Sequence, residues 1–291
     1  MRYCIIVDKS GVESLPIPVD VVSIEKATNR EKPCFIDKDG KVKNIKVFGL
    51  CPACKNPVQI IGLYKRFETK KPYAKHYGKT IDDIAKHDQD AYEACPYRKR
   101  REYNQNSKRV SGSALSLEIK ARLIKHFDKV AYIIRKDTGI RYSKKLLKEM
   151  LKTYRGWGAW EYFGATLENI PWAFLYMTDS KSLFGQYIRK DGKLYSELKK
   201  RGVRLKENGE FVQIFGFDGK SFNLRHYFTK HVSEPKDGEF RESVEAVFML
   251  NDEEILIQKI IFDHDYFFNL VNYGTWKSDL ELLALAKEIL E

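Results

Sequence analysis

The sequence predicts an α+β protein: an N-terminal hairpin/helix module held by a cysteine–histidine cluster, followed by a larger α+β domain with an antiparallel sheet. Three observations predict this. A close pair, Cys51-x₂-Cys54, lies between strand-like runs and is followed by His76 and Cys95. Residues 113–201 carry amphipathic stretches of helical length. Residues 211–262 break into short β-rich runs separated by Asp-Gly turn signals. The expected domains are residues 1–110 and 111–291, the second helical over 113–201, sheet-rich over 211–262 and closed by a C-terminal helix.

Taken in order, residues 3–8 (Tyr-Cys-Ile-Ile-Val-Asp) and 44–50 (Asn-Ile-Lys-Val-Phe-Gly-Leu) read as strands. Between them Asp37-Lys-Asp-Gly40 reads as a turn. A second hairpin is expected where Cys51-Pro-Ala-Cys54 leads into Pro57-Val-Gln-Ile-Ile-Gly62. Helical periodicity runs from Lys79 to Ala94, and Pro96 bars its continuation. Residues 97–112 are basic, poor in apolar side chains and without a period, which makes them the expected connector.

Beyond the connector, Ser113 is placed to cap a helix through about Phe127, with Leu117, Ala121, Ile124 and Phe127 on one face. Val130 to Arg135 reads as a strand, Thr138-Gly139 as a turn, and Ser143 to Tyr154 as a helix with Leu146, Leu147, Met150 and Leu151 in its core. Residues 156–187 are crowded with aromatics, and Glu197–Arg201 ends a further helix. Strands are expected from Phe211, Phe222, Glu245 and Glu254, with turns at Asp218-Gly219 and Asp237-Gly238. Ser278 or Asp279 caps a final Leu/Ala-rich helix.

Composition fits a globular chain of 291 residues, 43% hydrophobic and 13% aromatic. No run approaches the ~18 apolar residues of a spanning helix, and the N-terminus reaches Asp8 and Lys9 too soon for a signal peptide. A cytoplasmic protein with no membrane partner is expected. Five cysteines, an odd number, argue against a disulfide framework and for metal binding in a reducing compartment. The net charge is +12, unevenly spread: residues 241–291 hold 4 basic and 11 acidic side chains, so the preceding 240 carry +19. A strongly basic body suits an anionic partner, nucleic acid first.

The cysteine pair places two thiols on one tight turn, the bite a tetrahedral Zn²⁺ requires. Lys55-Asn-Pro57 follows and no helix can start there, which disfavours a redox pair. His76, His87 and Cys95 are the candidates to complete the site. On a helix advancing ~100° per residue, Cys95 shares the apolar sector of Ile81, Ile84, Ala85, Ala91 and Tyr92, whereas His87 lies toward its flank. His76 stands in a Lys-His-Tyr-Gly turn before that helix. The ranked ligand set is Cys51, Cys54, Cys95 and His76, with His87 and Cys34 in reserve, and Zn²⁺ the expected ion. Four protein ligands make a closed, structural site.

Directly after Cys95 come Arg98, Lys99, Arg100 and Arg101, then Lys108 and Arg109, with Tyr97 and Tyr103 able to stack on bases. Such an arm would release counterions on a phosphate backbone. The leading expectation is a non-enzymatic, zinc-stabilised basic protein that binds nucleic acid or a nucleoprotein partner. Two alternatives stand beside it. One is a metal-dependent nucleic-acid-processing enzyme with its site in 114–291; Glu118-Ile-Lys120 has the Glu-x-Lys spacing of restriction-like nucleases, although both residues fall on an amphipathic helix, where a surface pair is the plainer reading. The other is a protein-binding adaptor using residues 156–187. The CxxC followed by a Glu/Lys-bearing segment resembles competence proteins of the CoiA type over a quarter of the chain. The resemblance implies nuclease-like chemistry at Glu118 and Lys120. It departs at His76-Tyr-Gly-Lys79, where that type has His-Phe-x-His, and no strand pair with Asp and Glu-x-Gln follows. Asp263-His264-Asp265 reads as a turn with a solvated imidazole, and His226 and His231 as facing solvent or packing.

Overall fold

The computed structural model describes residues 1–36, 45–64, 71–98, 104–217, 221–236, 239–275 and 277–291. The expected turns at Asp37–Gly40, Asp218-Gly219 and Asp237-Gly238, and the basic residues Lys99, Arg100 and Arg101 with Tyr103, lie outside the described residues. The chain divides into two compact units, Met1–Lys99 and Arg100–Glu291.

In the first unit, β1 (Tyr3–Cys4) pairs with β2 (Ile17–Pro18), and α1 (Val21–Thr28) follows. Asp20 caps α1 by accepting the Ser23 N–H at 2.8 Å, and Asn29 ends it in the left-handed region at φ 48°. Sequence periodicity misses this helix because Val21, Val22 and Ile24 read as strand formers, although the Asp20 cap is visible. Next come β3 (Phe35–Ile36), β4 (Lys46–Leu50), β5 (Pro57–Ile61) and β6 (Tyr73–His76), an antiparallel sheet in that order. Ile5 bridges to Leu50, so the N-terminal strand lies against β4. A Cβ on Gly49 would fall 2.6 Å from the Ile5 carbonyl oxygen, so only glycine permits this approach. Cys4, Ile5, Ile24, Phe35, Val58 and Ala74 are central to the core.

The helix expected over 79–94 is not formed. Only α2 (Gln89–Glu93) is helical, beginning at Asp88, whose carboxylate accepts the Ala91 N–H. Before it, Ile81 and Ala85 close a tight turn through Asp83 at φ 62°, a left-handed residue that interrupts any helix.

The second unit opens with α3 (Ala114–Lys125), α4 (Phe127–Thr138), β7 (Ile140–Arg141) and α5 (Lys144–Gly156). The buried face of α3 is Leu115, Ser116, Ile119 and Leu123, and Leu117 is exposed, a rotation from the expected stripe. The expected strand at 130–135 is helix α4. Its β-branched residues are overruled by burial at Phe127, Val130, Ile133 and Ile134, the spacing of one helical face, and by Gly139 ending it at φ 72°. Then follow α6 (Ile170–Tyr176), β8 (Lys181–Ser182), β9 (Tyr187–Arg189), α7 (Lys193–Lys200), β10 (Arg204–Asn208) and β11 (Phe211–Gly216). The chain ends with β12 (Leu224–Lys236), β13 (Glu239–Leu250), β14 (Glu253–Ile261), α8 (His264–Asn272) and α9 (Leu280–Leu290), the last capped by Asp279.

Two four-stranded antiparallel sheets result, β10-β11-β9-β7 and β14-β13-β12-β8, so the fold class is α+β as expected. The aromatic stretch 156–187 mostly supplies core: Tyr162, Trp172, Phe174 and Tyr176 are buried, while Trp157 and Phe184 are exposed. Among the described residues no helix is long and apolar enough to cross a membrane.

Candidate metal centre

Cys51 lies where β4 turns toward β5. The turn is tight: Lys55 N–H donates to Cys51 O at 3.0 Å, Cys51 N–H donates to Asn56 O at 2.9 Å, and Lys55 takes φ 59°. That geometry turns Cys51 and Cys54 toward the same point. His76 is the last residue of β6, opposite Val58, so a strand rather than the expected turn presents it. Cys95 follows α2.

These four residues converge. Their ligand atoms all lie within 4.8 Å of one another. Cys51 Sγ is 3.7 Å from Cys95 Sγ, and Cys54 Sγ is 3.3 Å from His76 Nε2. A tetrahedron with metal–sulfur bonds of about 2.3 Å and metal–nitrogen bonds of about 2.0 Å has edges of about 3.5–3.8 Å, so the spacing fits a single ion. All five cysteines are free thiols. The cluster can therefore hold a metal ion. Burial pushes the Cys51 thiol up in pKa, whereas hydrogen bonds from Cys51 and Cys95 hold Cys54 far below the usual thiol range. Three clustered thiols share a single easy ionisation, and a dication is what would compensate the rest.

The 79–94 helix expected to aim Cys95 is not formed, and a different residue positions it. Asn56, 1% exposed, donates from Nδ2 to the Asp88 carbonyl at 3.0 Å and accepts the Asp88 N–H through Oδ1 at 2.7 Å. It also lies 3.5 Å from Cys54 Sγ. One amide side chain thus clamps the start of α2 to the cysteine turn and fixes where Cys95 arrives. The sequence signal was an asparagine inside the turn, two residues after Cys54.

The reserve ligands are employed elsewhere. His87 Nε2 pairs with Gln89 Oε1 at 3.0 Å. Cys34 accepts the Val7 N–H at 3.4 Å and reaches the Val7 carbonyl at 3.3 Å.

No known family, characterised protein or solved structure matches this chain.

The basic residues fall in two settings. Arg98 belongs to the first unit: its N–H donates to Cys95 O at 3.1 Å and its guanidinium lies 4.1 Å from the Tyr92 ring centre. Tyr92 in turn packs edge-on to His76 at 5.1 Å. Arg109 belongs to the second unit, where its guanidinium donates to the carbonyls of Tyr162 and Phe163 at 2.7 Å each. Lys108 donates to the Trp157 carbonyl. Glu118 accepts from Arg122 at 2.6 Å and Lys120 lies over the Trp160 ring, so both sit on one helix and face separate partners.

His264 is not solvated. Asp263 caps α8, and His264 Nε2 lies 2.8 Å from Glu242 Oε2. His231 Nε2 approaches the other oxygen at 3.0 Å, Asn169 donates to it at 3.1 Å, and Tyr162 OH lies 2.8 Å from His231 Nδ1. Burial alone would raise the Glu242 carboxyl; His231 and His264 outweigh it and hold the group well below the usual carboxylate range. This network was missed because its members lie far apart in sequence.

Proposed function

We propose that the N-terminal unit is a zinc-organised module that presents the basic run Arg98–Arg101 to nucleic acid. A thiol-rich Cys₃His donor set of tetrahedral spacing favours Zn²⁺ over the hard, oxygen-seeking cations. All four first-sphere positions come from the chain, so the ion would organise structure and supply no open coordination site. Such an ion contributes on the order of 10 kcal/mol of folding free energy to a small module.

The observation that supports the nucleic-acid reading is the linkage from Cys95 and His76 through Tyr92 to Arg98. The first base of the run is thereby held at the ligand cluster rather than on a free arm. The strongly basic balance of residues 1–240 supports the same reading. Lys108 and Arg109, engaged on backbone carbonyls, are assigned a smaller part.

The test is the salt dependence of affinity for duplex DNA and for single-stranded RNA. With Arg98, Lys99, Arg100 and Arg101 contacting phosphates, replacing all four by alanine lowers the log–log salt slope on duplex by about 3–4. A flat salt profile in the wild-type protein, or an unchanged slope in the variant, rejects the assignment.

A further inference from the structure

A cleft of about 360 Å³ opens in the second unit between the end of α4, the β9–α7 turn and β14. Small-ligand sites occupy roughly 300–1,000 Å³, so a phosphorylated compound fits in size. Four basic side chains line it, Lys136, Arg189, Lys193 and Lys259, against two acidic ones, Asp137 and Asp191.

Both acids are committed to other partners. Asp191 receives two hydrogen bonds from the Arg189 guanidinium, at 2.8 and 2.5 Å. Asp137 accepts the Trp172 indole N–H at 2.7 Å and lies 3.4 Å from Lys136 Nζ. The carbonyls at the end of α4 are also satisfied, Asp137 O by Gln258 and Gly139 O by the Arg189 N–H. Lys193 and Lys259, by contrast, form no ion pair among the described residues; Glu245, opposite Lys259 across β13–β14, is paired with Lys230 at 2.9 Å. With four basic and two acidic side chains around it the cleft is net positive, and its two remaining lysines are solvent-exposed at the cleft surface. The start of α7 adds to this, because Gly192 leaves the N–H groups of its first turn without a side-chain cap.

We propose that this cleft binds a phosphate-type oxyanion, with Lys193 and Lys259 as its principal cationic contacts. The phosphate is carried either by a small molecule or by a nucleic-acid backbone. Calorimetric titration of the full chain with inorganic phosphate, with ADP and with a single-stranded oligonucleotide separates the two. Lys193→Gln combined with Lys259→Gln weakens binding about tenfold or more, the scale of losing a charge-assisted hydrogen bond. Lys287→Gln, an exposed lysine on α9, leaves it unchanged. Phosphate or ADP binding that the double variant weakens identifies a small-molecule site. Oligonucleotide binding that the same variant weakens, with ADP inert, identifies a backbone-phosphate site. If none of the three probes binds, or the folded double variant binds as tightly as the wild type, the proposal fails.

Discussion

Asn56→Ala tests how the proposed metal centre is built, because it removes none of the four candidate ligands. Asn56 makes two hydrogen bonds to Asp88, at 3.0 and 2.7 Å, and is nearly inaccessible. Each such bond contributes about 0.5–1.5 kcal/mol net, so deleting both costs about 1–3 kcal/mol. That loss bears on the position of α2 and hence on Cys95, so it appears as weaker metal binding. Converted at about 1.4 kcal/mol per tenfold, it corresponds to a fall of about 10–100-fold in zinc affinity, the usual penalty for removing an outer-sphere partner. Competition against a chromogenic zinc chelator measures it directly, with circular dichroism confirming that the variant is folded. An Asn56→Ala protein that competes for zinc as well as the wild type would refute the reasoning. So would one that loses zinc as completely as a variant lacking a ligand, since Asn56 would then be doing more than orienting.

Two further outcomes follow from the packing. Gly49→Ala forces a methyl group against the Ile5 carbonyl 2.6 Å away; it destabilises the first unit by about 1–3 kcal/mol or more, read as a lower urea midpoint, while the second unit keeps its own. The second unit has its own pH limits. His226 is 1% exposed, its Nδ1 3.0 Å from Lys181 O and its Nε2 3.0 Å from Tyr142 OH, and burial lowers its pKa from 6.5 to about 4. A depressed histidine contributes stability above its unfolded value, so about 3 kcal/mol is lost as pH falls from 6.5 to 4. His264 has the opposite sign: burial opposes its charged form, the Glu242 carboxylate outweighs burial, and its pKa is raised. Its contribution is full below pH 6.5 and is lost as pH rises through the raised value. All four tryptophans lie in the second unit, so their fluorescence during urea unfolding at each pH isolates these effects. His226→Asn flattens the acid limb; a limb that stays as steep shows that another group controls it.

The sequence made the Cys51, Cys54, His76 and Cys95 cluster legible because a cysteine pair on a tight turn, with a later Cys and His, leaves few chemical alternatives. It made strands within 211–261 legible, although they divide between two sheets, because β-rich composition is a local signal. The route to Cys95 was different. Helical periodicity across 79–94 is present in the residue pattern, yet Asp83 in the left-handed region and the Asn56–Asp88 clamp decide the backbone there. The clamp depends on a contact 32 residues apart in the chain, and the Asp83 turn is closed by the Ile81–Ala85 bridge. At Val130–Arg135 a β-branched run became helix because the neighbouring helices α3, α6 and α9 bury its one apolar face. The Glu242–His231–His264 network was illegible for the same reason, since two packed elements and a buried carboxylate turn an apparent turn histidine into a largely buried, paired one.

The central claim is that Cys51, Cys54, His76 and Cys95 bind one zinc ion that holds the first unit together. Elemental analysis of the purified full chain, alongside Cys54→Ser prepared identically, tests it most directly. The account predicts about one zinc per wild-type chain and far less in the variant. It also predicts that the variant loses the secondary structure of residues 1–99 while tryptophan emission from the second unit stays native. A wild-type protein free of zinc, or a Cys54→Ser protein with full zinc and an intact first unit, would contradict it.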